Sequence, residues 1–218
     1  MREFELEVGI REHAVDGEGP WYWPAVDIGA WEGPSREFPQ LKQFVLPRLQ
    51  GRRTCVQAGG CCGMFPRLWA RDFETVYTFE PDPLNFHCLV RNCQLRNIFA
   101  FNAGLSDYSG LAPFCKTPDD RNRGMHQVIA QYPKDAWAGM DLCAVLAIDN
   151  LGIENVDYIQ LDVEASELRV VKGALRTIMR DRPIISLETV EGETQRILTD
   201  LNYHCVGQIV SDQIWCPK

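Results

Sequence analysis

The sequence predicts an open, doubly wound α/β sheet of seven mostly parallel strands, in which the last strand runs antiparallel to the others. From residue 53 onward, short apolar runs alternate with helical stretches, a pattern that favours right-handed crossovers between parallel strands. The last two apolar runs, YHCVGQIV and DQIWC, flank a tight turn at Ser211–Asp212 with no helix between them, so they predict an antiparallel hairpin. The 218 residues are enough for one such domain with a short extension.

The extension is predicted at residues 1–50, and the sheet domain at 51–218. The first 34 residues are rich in Trp, Pro and Gly and have no regular periodicity. Residues 35–50 predict an amphipathic helix, with Ser35 as its N-cap and one apolar stripe made of Phe38, Leu41, Val45 and Leu49.

The sheet domain is predicted to alternate strands with helices on both sides of an insertion. The strands are predicted at 54–58, 75–79, 98–103, 156–161 and 183–188, and the helices at 63–73, 83–96, 165–180 and 193–202. Residues 104–150 interrupt the alternation with short strands around 111–115 and 126–130. An insertion after the third strand lies near the carboxyl ends of the strands, where open α/β sheets bind ligands.

Composition excludes several classes of protein. The net charge of -8 argues against a partner held mainly through nucleic-acid phosphates. The nine cysteines show no CxxC spacing, and runs such as those around Cys55 and Cys205 predict buried free thiols in a reducing cytoplasm. The charged N-terminus is unlike a secretory signal, and no apolar run is long enough to span a membrane. The oligomeric state stays open, a homodimer included.

Two features predict a nucleoside site. The segment VQAGGCCGMFP (56–66) follows a strand and opens a helix, and Gly59 and Gly63 let a ligand approach the backbone closely. Glu80 ends the second strand, where a carboxylate can accept hydrogen bonds from ribose hydroxyls. The turn reads GGCCG rather than GxGxxG, so the pyrophosphate fingerprint is incomplete. A cofactor with a nucleoside and an amino-acid tail but no phosphate fits this turn better.

Two further acids follow the fourth main strand. Asp162 and Glu164, in the segment YIQLDVEASELRVVKGA (158–174), are expected at the same edge of the sheet as Glu80. The alternative is structural: Asp162 caps the following helix, and Glu164 interacts favourably with the dipole of that helix.

The chain resembles the FkbM-type methyltransferases in four segments that occur in the family's order. The family pattern is a DVGAN-x-G turn, a FEP-x-P strand end, a LSD segment and a K-x-DVEG-x-E-x-x-VL-x-GA block. The chain has VQAGGCCG, FEPDPLNF, AGLSD and QLDVEASELRVVKGA at these places, and the resemblance covers about residues 51–191.

The resemblance implies a class I methyltransferase fold, S-adenosylmethionine as cofactor, and methyl transfer to hydroxyl oxygens of sugars or other small molecules. It places Asp162 and Glu164 between cofactor and acceptor. The resemblance also implies three groups of residues around the cofactor. The methionine part is contacted by Gln57, Ala58, Gly59, Gly60 and Gly63, and the ribose and adenosine by Glu80, Pro81 and Asp82. The adenine is bordered by Asn102, Gly104 and Leu105.

The chain departs from the family pattern at three positions. Gln57 stands where Asp is usual, Cys61 where Asn or His is usual, and Ala165 where the DVEG block has Gly. An amide at residue 57 can still hydrogen-bond an ammonium group, with less charge attraction. Gln57 and Cys61 keep open a non-catalytic protein that only binds S-adenosylmethionine. Methyl transfer to nitrogen is a further alternative to the preferred O-methyltransferase. No metal site is evident in the sequence, and a divalent metal held by Asp162 and a nearby acid stays open.

Three other features have two interpretations each. The aromatic residues Trp21, Tyr22, Trp23 and Trp31 form either a lid over the cleft or an anchor for the extension. His126, in the insertion, is a surface residue or a general base. The tract DDRNRG (119–124) is a solvated loop or contributes to acceptor recognition. For the base itself, Asp162 is the preferred candidate.

Overall fold

The computed structural model describes residues 9–15, 19–27, 32–116, 122–129, 134–188, 190 and 192–218. The strands, in chain order, are β1 Ile10–Val15, β2 Gly19–Pro24, β3 Thr54–Ala58, β4 Thr75–Phe79, β5 Ile98–Phe101, β6 Gly104–Leu105, β7 Gly110–Cys115, β8 Gln127–Val128, β9 Asp141–Leu146, β10 Val156–Leu161, β11 Ile184–Leu187, β12 Tyr203–Ile209 and β13 Asp212–Pro217. The helices are α1 Glu32–Val45, α2 Met64–Trp69, α3 Pro83–Asn92, α4 Glu167–Lys172, α5 Leu175–Asp181 and α6 Gly192–Asp200.

The main sheet confirms the predicted fold class. Its seven strands lie in the order β12-β13-β11-β10-β3-β4-β5. The pairs of β3 with β4 and β10, of β4 with β5, and of β10 with β11 are parallel, whereas β13 is antiparallel to both β11 and β12. Thus β13 alone runs against the others. The chain moves outward from β3 in one direction and resumes at β10 on its other side, which makes the β3–β10 boundary the switch point of the fold.

Both faces of the sheet are covered, because the central strands β3, β10 and β11 are buried along their whole length. One hydrophobic cluster joins the sheet to α1 and α2 through Phe38, Leu41, Leu68 and Trp69, among others. The second cluster packs α4, α5 and α6 against the opposite face. The two layers hold the strand ends rigidly, and those ends carry the acids predicted from the sequence.

The predicted irregular N-terminus is wrong in the part that the structure describes, because β1 and β2 form an antiparallel hairpin. Its indole side chains fill the core: Trp21 and Trp23 are 0% and 1% exposed. Asn92 of α3 holds the hairpin through two hydrogen bonds: it accepts one from the Tyr22 amide at 2.7 Å and donates one to the Tyr22 carbonyl at 2.8 Å. The helix predicted from Ser35 begins earlier, at Glu32, so Ser35 is not its N-cap.

The helix predicted at 165–180 is broken into α4 and α5. The break lies at Gly173, where an added Cβ would lie 2.0 Å from the carbonyl oxygen of Ser106. The Gly173 carbonyl accepts a hydrogen bond from the Asp149 amide at 2.9 Å rather than continuing a helical ladder. Tertiary packing therefore overrides a helical periodicity that runs through this position. The helix predicted at 83–96 likewise ends early, at Asn92.

The insertion folds into a second, four-stranded sheet in the order β6-β9-β7-β8. The strand predicted around 111–115 corresponds to β7, whereas the strand predicted around 126–130 is limited to the two residues of β8. The strand β9 and the short β6 have no counterpart in the sequence prediction. Together these strands place Leu105 and Val128 beside the end of β4.

All nine cysteines are free, as predicted, and Cys55 is buried. Cys205 is exposed, so the prediction of a buried thiol at that position is wrong. Its strand β12 is the edge strand of the sheet, which leaves this side chain in solvent. Within the described ranges, no helix has both the length and the apolar character needed to cross a membrane.

Candidate functional site

The turn after β3 meets the turn after β10 at the switch point of the sheet. Gly59 has φ +79°, and a Cβ on it would lie 1.6 Å from the carbonyl oxygen of Asp162. The Asp162 amide donates to the Ala58 carbonyl at 3.1 Å. Residue 59 must therefore be glycine, since any side chain would displace the backbone that carries Asp162.

Glu80 follows β4, and each of its two carboxylate oxygens accepts a hydrogen bond from a backbone amide. Its Oε2 accepts from the Cys61 amide at 2.7 Å, and its Oε1 accepts from the Asp82 amide at 2.8 Å. Burial raises the pKa of Glu80 to about 8, although these two hydrogen bonds favour the charged form. A carboxylate has about four acceptor positions, so each oxygen can still accept from a ribose hydroxyl.

The buried Glu80 makes stability depend on pH. Because its folded-state pKa lies above its ordinary value of 4.5, Glu80 contributes stability that is fully present below about pH 4.5 and is lost as the pH rises through about 8. The melting temperature of the protein should therefore fall by several degrees more between pH 5 and pH 8.5 than that of the Glu80→Gln variant. Thermal unfolding followed by circular dichroism measures both slopes, and equal slopes would contradict the burial of an ionisable Glu80.

Asp82 joins the site to the insertion through a buried cluster with Arg123 and His126. Its carboxylate accepts from the Arg123 guanidinium at 2.6 Å and lies 2.9 Å from Nδ1 of His126. It also caps α3 through the amides of Leu84 and Asn85. Burial opposes ionisation of Asp82, but the hydrogen bonds from His126 and Asn85 and the charge of Arg123 lower its pKa to about 2.

This cluster corrects two interpretations of the sequence. His126 is buried, as is Arg123, so neither belongs to a polar surface or a solvated loop. Of the predicted loop 119–124, residues 119–121 lie outside the described part of the chain. No sequence pattern indicates the cluster, because residues 82 and 123 lie 41 positions apart and meet only through the fold.

A small cavity with an apolar face lies on the insertion side of Glu80. The residues around a cavity of about 30 Å³ include the apolar side chains of Phe79, Pro81, Leu105 and Val128. This volume holds about two water molecules. Arg123, Gly124 and His126 form its other wall, so a nucleoside could enter only if the segment 122–128 moved outward.

A second and larger cavity of about 300 Å³ lies on the other side of the same turn. It shares five residues with the first cavity, namely Gly59, Glu80, Gly124, Asp162 and Glu164. Its described lining contains six acidic side chains and no Lys, Arg or His; the acids are Glu37, Glu80, Asp162, Glu164, Glu188 and Asp212. Trp23, Met64 and Phe65 supply its apolar part.

Burial and mutual repulsion raise the pKa values of the acids in this second, acidic cavity. Burial raises the pKa of Asp162 well above its usual range, and the nearby Glu188, Asp212 and Glu164 raise it further. Burial and Glu188 also raise the pKa of Asp212 to about 7. Asp162 is not a helix cap, because α4 has Ser166 at its N-cap position. The alternative structural role considered for Asp162 is therefore wrong.

The backbone after Asp162 is strained at two consecutive residues. Glu164 has φ +48° and Ala165 has φ +64°, both in the left-handed region. This backbone conformation is less favourable by about 1–2 kcal/mol for a residue with a Cβ, whereas glycine adopts it with almost no penalty. The strain gives a physical reason for the glycine that the resembled DVEG block has where this chain has Ala165.

Ala165→Gly is expected to stabilise the protein by about 0.5–1 kcal/mol, because relief of the strain exceeds the extra chain entropy of glycine. Ala165 is exposed, so the substitution removes no core contact. Urea unfolding monitored by fluorescence gives the free energy of unfolding. A Gly variant less stable than the natural chain would show that residue 165 does not have a positive φ in solution.

Several predicted cofactor residues lie behind the two cavities and line neither. Gln57 is buried: it donates to the carbonyls of Ala58 and Gly59 and accepts from the Thr78 hydroxyl. Gly63 opens α2, with φ +93° and the sulfur of Cys93 2.6 Å from where its Cβ would be. Asn102 donates to the carbonyls of Glu80 and Pro81. These residues shape the turns that carry the lining groups.

The aromatic residues of the extension fit both interpretations in part. Trp21 and Trp23 anchor the hairpin in the core, yet Trp23 also lines the acidic cavity. The guanidinium carbon of Arg67 lies 4.2 Å from the centre of the Trp21 ring, and that of Arg91 lies 3.7 Å from the centre of the Tyr22 ring. Trp31 lies outside the described residues.

Comparisons with known proteins identify the domain to which this geometry belongs. A sequence model described as the methyltransferase FkbM domain matches residues 59–204, more than half of the chain. The match begins at the turn after β3 and ends in β12. A search of the curated proteins found no match.

Three solved structures share the fold with the chain. The methyltransferase FkbM from Methylobacillus flagellatus KT has 20% sequence identity and a TM-score of 0.50, over 75% of this chain and 43% of that one. Trm5b from Pyrococcus abyssi has 9% identity and a TM-score of 0.53, over 95% and 54%. The tRNA (uracil-54, C5)-methyltransferase from Pyrococcus abyssi, in complex with S-adenosyl-L-homocysteine, has 12% identity and a TM-score of 0.51, over 95% and 44%. The chain thus spans about half the length of these proteins.

Proposed function

The chain belongs to the FkbM methyltransferase family, and on that premise we propose that it transfers a methyl group from S-adenosylmethionine to a hydroxyl oxygen of a sugar, glycan or other small molecule. The observation that carries the proposal is the convergence of Gly59, Glu80 and Asp162 on one cleft at the switch point. Open α/β sheets bind nucleoside ligands at this place.

The residues present fit S-adenosylmethionine in three respects. The apolar face of Pro81, Leu105 and Val128 matches an adenine ring. Glu80 offers carboxylate oxygens at the boundary of the two cavities, where a ribose reaches both. The cavity beyond it is acidic and suits the positive charges of a sulfonium and an ammonium group. The amide of Gln57 is used internally, so these acids take the place of the Asp that the family usually has at residue 57.

The cofactor supplies a methyl group on a positively charged sulfur. The protein must hold the acceptor oxygen in line with it and exclude water. Asp162 is suited to orient the acceptor hydroxyl and take its proton, because its amide is fixed by the hydrogen bond to Ala58 at the β3–β10 boundary and its side chain lines the acidic cavity. We assign Glu164 to the same acceptor side of the cleft, because it lines both cavities.

The acidic cavity also bears on the class of acceptor. The lack of Lys, Arg and His in its described lining and the net charge of -8 oppose the approach of a nucleic-acid backbone, which supports a small-molecule or glycan acceptor. The same acids would attract a protonated amine, so methyl transfer to nitrogen is the second candidate. We place the protein in the cytoplasm, in keeping with its nine free thiols.

The proposal is tested by incubating the purified chain with S-adenosylmethionine and panels of sugars, polyols and amines. We expect S-adenosylhomocysteine release above the no-acceptor rate with a hydroxyl compound, and a product heavier by one methylene group. Turnover confined to amines would favour nitrogen methylation. Tight cofactor binding without turnover for any acceptor would indicate a protein that only binds the cofactor.

A further inference from the structure

Three carboxylates at the carboxyl ends of two neighbouring strands form a compact oxygen cluster. Asp162 and Glu164 follow β10, and Glu188 follows β11. One oxygen of each lies within 4.8 Å of the oxygens of the other two. The Glu188 amide donates to the Leu161 carbonyl at 3.4 Å, which ties the two strand ends together. Three converging oxygens at this spacing match the ligand arrangement of a hard divalent cation.

A fourth carboxylate points to a ligand independently of that spacing. Glu167 is only 2% exposed, and its Oε1 has no hydrogen-bond partner among the described residues. Burial and the nearby charges of Glu188 and Glu164 raise the pKa of Glu167 to about 7, against the backbone hydrogen bonds that its own amide and the amide of Val163 donate to the carboxylate. A buried carboxylate oxygen without a partner costs free energy, which a cation or a cation-bound water beside the cluster would recover.

The surroundings favour a metal over a structural ion pair. The described lining of the acidic cavity holds no Lys, Arg or His that could neutralise Asp162, Glu164 and Glu188. The basic groups at the site lie on the other side of the turn, where Arg123 pairs with Asp82. The three acids offer only oxygen atoms as ligands, and no Cys or His belongs to the cluster. Such a set of donors is typical of Mg²⁺, Mn²⁺ or Ca²⁺ rather than zinc.

We propose that Asp162, Glu164 and Glu188 bind one hard divalent cation, of the Mg²⁺ or Mn²⁺ class, on the acceptor side of the cleft. The cavity of about 300 Å³ leaves room for waters or acceptor hydroxyls to complete the coordination shell. Each acid needs to give only one oxygen to the cation. The contact between cation and acceptor rests on the proposed function, whereas cation binding itself does not.

The test uses Mn²⁺, whose free concentration is read from its electron paramagnetic resonance signal, titrated into the full chain. We expect one saturable site, with Mg²⁺ in excess displacing the Mn²⁺. Glu188→Gln should weaken Mn²⁺ binding at least tenfold, because it removes one charged ligand and keeps the shape. Glu154→Gln is the matched control: this exposed acid lines neither cavity, and Mn²⁺ binding should be unchanged.

Circular dichroism and titration with S-adenosylhomocysteine on the same samples separate the cation site from the proposed function. We expect Glu188→Gln to fold and to keep measurable S-adenosylhomocysteine binding, because five of the six acids of the cavity remain. A natural chain that binds S-adenosylhomocysteine but no Mn²⁺ overturns the cation site and leaves the methyltransferase proposal intact. Equal Mn²⁺ affinity in the natural chain and Glu188→Gln also overturns it, because the ion is then held elsewhere.

Discussion

Asp162→Asn is expected to lower the rate of methyl transfer by about a hundredfold or more, the loss typical of a missing general base or acceptor-orienting carboxylate. The Asn side chain keeps the shape of Asp but cannot take a proton. The Asp162 backbone is fixed by its hydrogen bond to Ala58 and by the close approach of Gly59, so the variant should fold normally. Single-turnover kinetics with saturating cofactor measure the chemical step directly.

Cofactor affinity is the control for this variant. S-adenosylhomocysteine should bind Asp162→Asn with an affinity close to that of the natural chain, because we assign the adenosine and ribose contacts to Glu80, Pro81 and Leu105, which line the smaller cavity. If the Asn variant turns over at the natural rate, the base must be sought among Glu164, Glu188 and His126. Asp200→Asn, at an exposed residue of α6, should keep full activity.

Glu80→Ala is expected to weaken S-adenosylmethionine binding by about 1.5–3 kcal/mol, which corresponds to roughly 10- to 150-fold in the dissociation constant. The substitution removes the acceptors for the ribose hydroxyls and also frees the amides of Cys61 and Asp82, which shape the turns around the cofactor. Isothermal titration calorimetry measures the change.

Glu74 offers a control on the same strand. It is exposed and precedes β4 at the end opposite to Glu80, so Glu74→Ala should bind the cofactor like the natural chain. Unchanged affinity in a folded Glu80→Ala variant would rule out the ribose assignment. Equal losses in both variants would mean that the effect comes from a general disturbance of β4.

The sequence was most informative where structure is local and strongly patterned. The strands at 54–58, 75–79 and 156–161 have the predicted bounds, because unbroken β-type apolar runs bounded by polar residues and turns leave few alternatives. The positions of Glu80 and Asp162 followed from their places at strand ends. Parallel strands bring those ends to one edge of the sheet.

What the sequence did not reveal depends on contacts between distant segments. Helical periodicity continues through Gly173, and only the approach of Ser106 breaks the helix there. The partnership of Asp82 with Arg123 and His126 joins α3 to the insertion across 41 and 44 residues. Glu188 was predicted as the end of a strand and as an alternative base to Asp162, not as a member of a carboxylate cluster. Its place in the cluster depends on the register that sets β11 beside β10.

The hairpin of β1 and β2 was missed for a different reason. Strand β1 (IREHAV) has charged and polar residues among a few apolar ones, and β2 (GPWYWP) consists of glycine, proline and aromatic residues, so the usual strand signal is weak. The hairpin is held by Asn92, which hydrogen-bonds the backbone of Tyr22 from α3. A contact made by one amide side chain with the backbone of another segment leaves no periodic trace in a sequence.

The central claim is that the cleft at Gly59, Glu80 and Asp162 is the site of an S-adenosylmethionine-dependent methyl transfer. A crystal structure of the full chain with S-adenosylhomocysteine tests it most directly. We expect adenine between Pro81 and Val128, with the segment 122–128 moved outward, and the ribose hydroxyls within hydrogen-bond distance of Glu80. The sulfur atom should face Asp162 across the acidic cavity. Binding outside this cleft, or no binding at saturating S-adenosylhomocysteine, would contradict the assignment.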